Sequence, residues 1–76
     1  MTQALQELAA GNSPAAQRAQ YALQLVAAHQ AGQVSTDEYR AILEDLVRTD
    51  ALEAEADSLE SKQMLVFGVT QLISLV

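Results

Sequence analysis

His29 is the one histidine of this chain and the first residue that could do chemistry. A histidine that binds a metal ion or acts as a general base needs partner side chains at suitable spacing. No cysteine occurs in the chain, and no glutamate stands four residues from His29 on either side. We therefore interpret His29 as a residue near a helix carboxyl end, where the helix dipole favours a positive charge.

The acidic side chains between residues 44 and 60 are the second group that could do chemistry. This group consists of Glu44, Asp45, Asp50, Glu53, Glu55, Asp57 and Glu60. Several of these carboxylates would share a helix face and could surround a divalent cation. The alternating oxygen ligands and central glycine of an EF-hand loop are missing, however, and runs of this kind usually form a solvated face. We therefore predict no metal site and no cofactor.

Catalytic nucleophiles and phosphate-binding loops are also missing from the sequence. No serine is accompanied by a base that could activate it, and the 3 glycines are too few for a phosphate loop. Tyr21, Tyr39 and Phe67 stand at apolar helical positions, so we interpret them as core or contact residues rather than stacking platforms for bases. The sequence predicts that the protein has no catalytic residues and is not an enzyme.

Length and composition limit the class of protein further. The chain has 76 residues, a net charge of -6, 50% hydrophobic residues and only 4% aromatic residues. Alanine and leucine favour helices, so we expect an all-α fold of three to four helices. A domain this small buries only about 60% of its unfolded surface, and association with other chains would add stability. Because an acidic surface repels nucleic acid and acidic lipid, we expect protein partners.

Helix-capping signals divide a single domain, 1–76, into segments. Gly11 is suited to ending a first helix, and Ser13 followed by Pro14 is suited to beginning a second. The predicted helices span residues 2–10, 14–31, 36–48 and 50–74. The apolar stripe loses its phase after Val47, so the sequence leaves open whether the third and fourth predicted helices form one continuous helix. The second helix should bury Ala15, Ala19, Ala22 and Val26, flanked by Tyr21, Leu23 and Leu25, with Gln17, Arg18, Gln20 and Gln24 facing outward.

The stretch AGQVSTDEYRAIL, residues 31–43, predicts a tight corner between the second and third helices. Gly32 supplies a left-handed helix stop, and Ser35 with Glu38 forms a capping box. Val34 could pack against Tyr39 as a hydrophobic staple that sets the direction of the third helix. The result is a helical hairpin, packed through Tyr39, Ile42, Leu43 and Leu46.

The C-terminal stretch MLVFGVTQLISLV carries no charge and has 13 residues, fewer than the roughly 20 that span a membrane. Leucine, valine and isoleucine recur every seven residues at 52, 59, 66 and 73, near the lower limit for a coiled coil. We predict a long apolar C-terminal helix whose contacts with other chains are made by Leu59, Val66, Phe67, Leu72 and Ile73. Gly68 is explained equally well by a close helix crossing or by local fraying.

Residues 25–46 combine a leucine-bearing helix, Gly32, the pair Val34-Ser35 and the run Asp37-Glu38-Tyr39. This pattern resembles the SHOCT family of short C-terminal helical hairpins. Hairpins of that family are thought to mediate oligomerisation or to tether other domains. The resemblance therefore implies an interaction role for the hairpin.

These features favour a non-enzymatic assembly subunit that forms homo-oligomers or joins a larger complex. By analogy with the small acidic accessory proteins of tailed phages, we expect this protein to be a head, connector or tail component of a phage virion, or to lie in the cytoplasm of the host cell. The alternative is a small acidic regulator that inhibits a nucleic-acid-binding enzyme by mimicking nucleic-acid charge. Neither function requires a cofactor, direct nucleic-acid contact or a membrane span.

Overall fold

A computed structural model describes residues 2–48 and 58–76 of the chain. Within these residues the chain forms four helices and no strand, which confirms the predicted all-α fold class. The helices are α1 (Gln3–Ala9), α2 (Pro14–Gln30), α3 (Thr36–Leu46) and α4 (Leu59–Ser74).

Serine side chains begin three of the four helices. In each case the serine backbone is extended and its Oγ accepts a hydrogen bond from the backbone N–H three residues later. The pairs are Ser13 with Ala16 at 3.1 Å, Ser35 with Glu38 at 3.2 Å and Ser58 with Ser61 at 3.1 Å. Pro14 follows Ser13 at the first helical position, as its fixed φ angle favours.

The predicted helix over 50–74 is wrong at its amino-terminal end. Ser58 is extended, with φ -68 and ψ 150, so α4 begins only at Leu59. The predicted start at residue 50 lies outside the described residues. The third helix is also shorter than the predicted 36–48, because Val47 leaves helical geometry with φ -113 and ψ 19. α3 and α4 are therefore two separate helices.

Small side chains of α2 occupy the centre of the core. Ala15, Ala19 and Ala22 are fully buried, as predicted, and α1, α3 and α4 all contact α2. The larger side chains around them are Leu5, Leu8, Leu25, Tyr39, Leu43, Leu65, Val69 and Leu72. Tyr21, in contrast, is 45% exposed, so its predicted place on the buried face is wrong. Alanines keep the α2 surface flat enough for three helices to approach it closely.

α1 and α4 cross at Gly68, where the absence of a side chain is required. A Cβ atom at this position would lie 2.7 Å from Leu5 Cγ and 2.8 Å from Leu5 Cδ2. Both residues are buried. The close crossing, rather than fraying, is therefore the reason for a glycine inside α4.

Two arginines bind main-chain oxygens at the carboxyl ends of the last two helices. The Arg18 guanidinium donates to the Leu46 carbonyl at 2.8 Å, and Arg40 donates to the Val76 carbonyl at 2.6 Å. The Leu46 carbonyl is the last of α3, where helix carbonyls lack intrahelical partners and carry the negative end of the helix dipole, so the Arg18 guanidinium stabilises it. Val76 lies two residues beyond the end of α4, so the Arg40 contact ties the segment after α4 to α3. Arg18 was predicted to face outward; it turns inward because its long side chain reaches the end of α3.

Candidate protein-binding surface

Apolar side chains remain exposed on one side of α4. Leu59 is 70% exposed, Phe67 57% and Val66 38%. With the exposed polar residues Gln63, Thr70 and Ser74 they form a continuous surface, which we call the α4 outer face. No charged side chain follows Lys62 in the chain. Three of the five predicted contact residues are thus accessible to another molecule.

The other two predicted contact residues lie elsewhere. Leu72 is only 3% exposed and belongs to the protein's own core with Leu65 and Val69, so it is not accessible to a second chain in this fold. Ile73 is half-buried and packs against the same core. The core stripe is offset by one residue, about 100° of helix rotation, from the predicted stripe through Val66 and Ile73.

A shallow groove runs between α1 and α4, next to the α4 outer face. It encloses about 410 Å³ and is lined by Gln3, Ala4, Glu7, Phe67 and Gln71. Ala4 supplies a small apolar side chain, Phe67 an exposed aromatic ring, and Glu7 an exposed carboxylate. We call this feature the α1/α4 groove. Its lining is mixed, because the polar side chains of Gln3, Glu7 and Gln71 stand beside Ala4 and Phe67.

The predicted hairpin corner has a clear structural role. Gly32 adopts the left-handed conformation, with φ 77, and the Ser35 hydroxyl caps α3 at the Glu38 N–H. The packing of Val34 against Tyr39 stays a prediction, and the Tyr39 ring also contacts the His29 ring. The two rings stack with their centroids 4.3 Å apart and their planes 6° from parallel.

His29 joins α2 to α3 through a second contact as well. Its Nε2 lies 3.1 Å from the Thr36 hydroxyl, at the first residue of α3. Burial raises the pKa of the Tyr39 phenol above its ordinary value. His29 and Tyr39 are ten residues apart in the sequence, so neither helical spacing nor capping rules could pair them. The ring stack and the contact with Thr36 therefore join α2 to α3 at the hairpin corner.

The carboxylates that the sequence singled out lie only partly within the described chain. Glu44, Asp45 and Glu60 are exposed, and Asp45 pairs with Arg48 at 3.5 Å. The remaining members, Asp50, Glu53, Glu55 and Asp57, lie outside the described residues. Over residues 2–48 and 58–76, no group of three or more His, Asp or Glu side chains could hold a metal ion. No helix in this part of the protein is long and apolar enough to cross a membrane.

The chain matches no protein-family model, no curated protein and no solved structure. The function must therefore be inferred from the α4 outer face, the α1/α4 groove and the charge distribution.

Proposed function

We propose that this protein is a non-enzymatic assembly subunit that contacts other protein chains through the α4 outer face. The observation that carries the proposal is the exposure of Leu59, Val66 and Phe67 on one helix of an otherwise acidic protein. Covering apolar surface stabilises a complex by about 25 cal/mol per Å² removed from water. An uncharged face also lets two acidic molecules meet without bringing like charges together.

Two further features support an assembly role. The resemblance of residues 25–46 to SHOCT hairpins favours oligomerisation or tethering. A domain of 76 residues also has only a small core, so it gains stability when other chains cover its surface. The favoured setting is a phage virion, and the support for that setting is the analogy with small acidic accessory subunits.

Light scattering behind a sizing column tests the proposal on the full-length chain. We expect an oligomer at both low and high salt, because apolar contacts are little affected by screening. The double variant Leu59→Ser/Val66→Ser should dissociate it, and the matched control Tyr21→Ser, which changes an exposed side chain on α2, should not. Deletion of residues 64–76 is unsuitable, because it removes Leu65, Val69 and Leu72 from the core.

A wild-type chain that is monomeric at both salt concentrations would refute self-assembly through α4. So would an oligomer whose mass is unchanged in the double variant.

The charge distribution favours one second candidate, the acidic regulator. The protein has 4 basic residues, and Arg18, Arg40 and Arg48 are engaged with Leu46, Val76 and Asp45. Among the described residues, the exposed charged side chains are therefore predominantly acidic, with Arg48 as the exposed base and Lys62 half-buried, as a mimic of nucleic-acid charge requires. Binding of this kind should weaken steeply with salt and on neutralisation of Glu44 and Asp45, whereas contact through the α4 outer face should not.

A further inference from the structure

We infer that two copies of this chain pair through their α4 outer faces with the two α4 helices parallel, so that Glu60 of each copy lies beside Lys62 of the other. This inference rests on the proposed function, because it assigns a partner and a direction to the face already proposed for contacts. Its basis is the placement of one charge on each of the two borders of that face.

Glu60 stands on the border of α4 that faces α1. Glu60, Phe67 and Gln71 follow one another at spacings of seven and four residues, so they lie on one side of the helix. Phe67 and Gln71 line the α1/α4 groove, which places this side next to α1. Glu60 is exposed in the first turn of α4. The α1 border of the outer face therefore carries a negative charge.

Lys62 stands on the opposite border, which faces α3. Lys62, Ile73 and Val76 follow one another at spacings of eleven and three residues, so they share a second side of α4. The Val76 carbonyl accepts from the Arg40 guanidinium of α3 at 2.6 Å, which places this side next to α3. Lys62 is half-buried, and over residues 2–48 and 58–76 it forms no ion pair. Glu60 and Lys62 are about 200° apart around the helix, one on each border.

A twofold axis parallel to α4 brings the α1 border of one copy against the α3 border of the other. Glu60 and Lys62 then meet twice, once on each side of the pair, and Lys62 gains a carboxylate partner. Opposite charges that meet across an interface favour this arrangement and fix its direction. Phe67 on the α1 border and Val66, four residues from Lys62 on the α3 border, meet in the same way, which covers both exposed side chains.

An antiparallel pair would instead bring like borders together. The two α3 helices would then lie side by side, and four exposed carboxylates of each would face the same four of the other: Asp37, Glu38, Glu44 and Asp45. The parallel pair places α3 beside α1, on which Glu7 is the only acidic residue. Because each copy has a net charge of -6, separating the two α3 helices lowers the repulsion between the copies.

Charge reversal in the full-length protein tests the two ion pairs. The variants are Glu60→Lys, Lys62→Glu and the double exchange Glu60→Lys/Lys62→Glu, and sedimentation equilibrium measures the dissociation constant of the pair. Each single reversal should weaken pairing about tenfold, because two attractions become two repulsions. The double exchange should restore pairing to within about twofold of the wild type. Circular dichroism verifies that each variant is folded.

Net charge alone predicts the opposite result for one of these variants. Glu60→Lys reduces the net negative charge, so a general effect of charge would tighten pairing rather than weaken it. The control Glu44→Lys makes the same change at an exposed position on α3 and should not weaken pairing. A Glu60→Lys variant that pairs as tightly as the wild type would overturn the inference. A double exchange that stays as weak as the single reversals would overturn it as well.

Disulfide formation tests the direction of the two helices. The chain has no cysteine, so Gln63→Cys and Thr70→Cys, at the centre of the α4 outer face, each introduce a single thiol. In a parallel pair each thiol faces its own counterpart, and both variants should cross-link under mild oxidation at least about tenfold faster than Gln24→Cys, a control at an exposed position on α2.

The spacing of the two cysteine positions separates the two directions. Residues seven apart lie about 10 Å apart along a helix, and a disulfide needs Cα atoms within about 7 Å of each other. In an antiparallel pair at most one of the two positions can therefore lie near its own counterpart. Cross-linking of only one variant, or of neither, faster than Gln24→Cys would overturn the inference.

The inference and the proposed function fail separately. An oligomer that Leu59→Ser/Val66→Ser dissociates, but in which charge reversal has no effect or only one cysteine variant cross-links, would leave the assembly role standing and overturn the parallel pairing. A wild-type chain that is monomeric at both salt concentrations would overturn both.

Discussion

Replacing Gly68 by alanine sets two opposing effects against each other. Alanine favours a helix interior over glycine by about 1 kcal/mol, so Gly68→Ala would stabilise an isolated helix. In the folded protein, however, the new methyl group would lie 2.7 Å from Leu5 Cγ and 2.8 Å from Leu5 Cδ2. Ordinary carbon–carbon contacts are about 3.5–4.0 Å, so Leu5 would have to retreat by roughly 1 Å.

Moving Leu5 by this distance costs free energy because its side chain is buried. The near atom is the branch carbon rather than a flexible end, and Leu5 is fully buried in the core. Extra methyl groups in a packed core cost about 1–3 kcal/mol, and this approach belongs at the upper end of that range. After the helix-propensity gain, we expect Gly68→Ala to destabilise the protein by about 2 kcal/mol. For a domain this small, that lowers Tm by roughly 8–16 °C.

A double-mutant cycle with Leu5→Ala tests whether Gly68→Ala changes from destabilising to stabilising once the crowding atoms are removed. Leu5→Ala removes all three atoms that crowd the new methyl group, at a cost of about 2–5 kcal/mol. In that background Gly68→Ala should stabilise by about 1 kcal/mol, giving a coupling energy of about 3 kcal/mol between the two sites.

Urea unfolding followed by far-UV circular dichroism measures all four proteins at one concentration. Sucrose in every sample keeps the weakest variant folded, because excluded osmolytes favour the compact state. Gly68→Ala that is as stable as the wild type would refute the reasoning. An equal effect of Gly68→Ala in both backgrounds would refute it as well, because the cost would then not come from Leu5.

Two further predictions concern the hairpin corner. Burial raises the pKa of Tyr39 above 10.0, so above that pH the unfolded chain loses its phenol proton first. The contribution of the Tyr39 phenol to the free energy of unfolding should be fully present below about pH 10 and lost as the pH rises through the raised pKa. Urea unfolding measured over this pH range should show the loss in the wild type and not in Tyr39→Phe. Ser35→Ala removes the Oγ acceptor for the Glu38 N–H and should cost about 1 kcal/mol in the same assay. The control Gln24→Ala, at an exposed position on α2, should stay within about 0.5 kcal/mol, and an equal loss in both variants would contradict the capping role of Ser35.

The features that could be predicted from the sequence are those that depend on neighbouring residues. Ser13 before Pro14, Gly32, and Ser35 before Glu38 each satisfy main-chain groups within a few positions, so their patterns identify helix ends directly. The His29–Tyr39 stack and the Arg18 and Arg40 contacts join different helices. Their partners are set by how the helices meet, which no local pattern contains.

The phase of α4 shows why the contact surface could be predicted only in part. The four consecutive residues 64–67 are all apolar, so α4 presents apolar side chains around much of its circumference and its sequence does not specify which stripe is buried. Gly68 determines which stripe of α4 faces the core, because Leu5 of α1 fills the space that a side chain at position 68 would occupy. That contact turns Leu65, Val69 and Leu72 inward and leaves Leu59, Val66 and Phe67 outward. A single close approach between α1 and α4 thus both completes the core and sets the surface that we propose as the binding face.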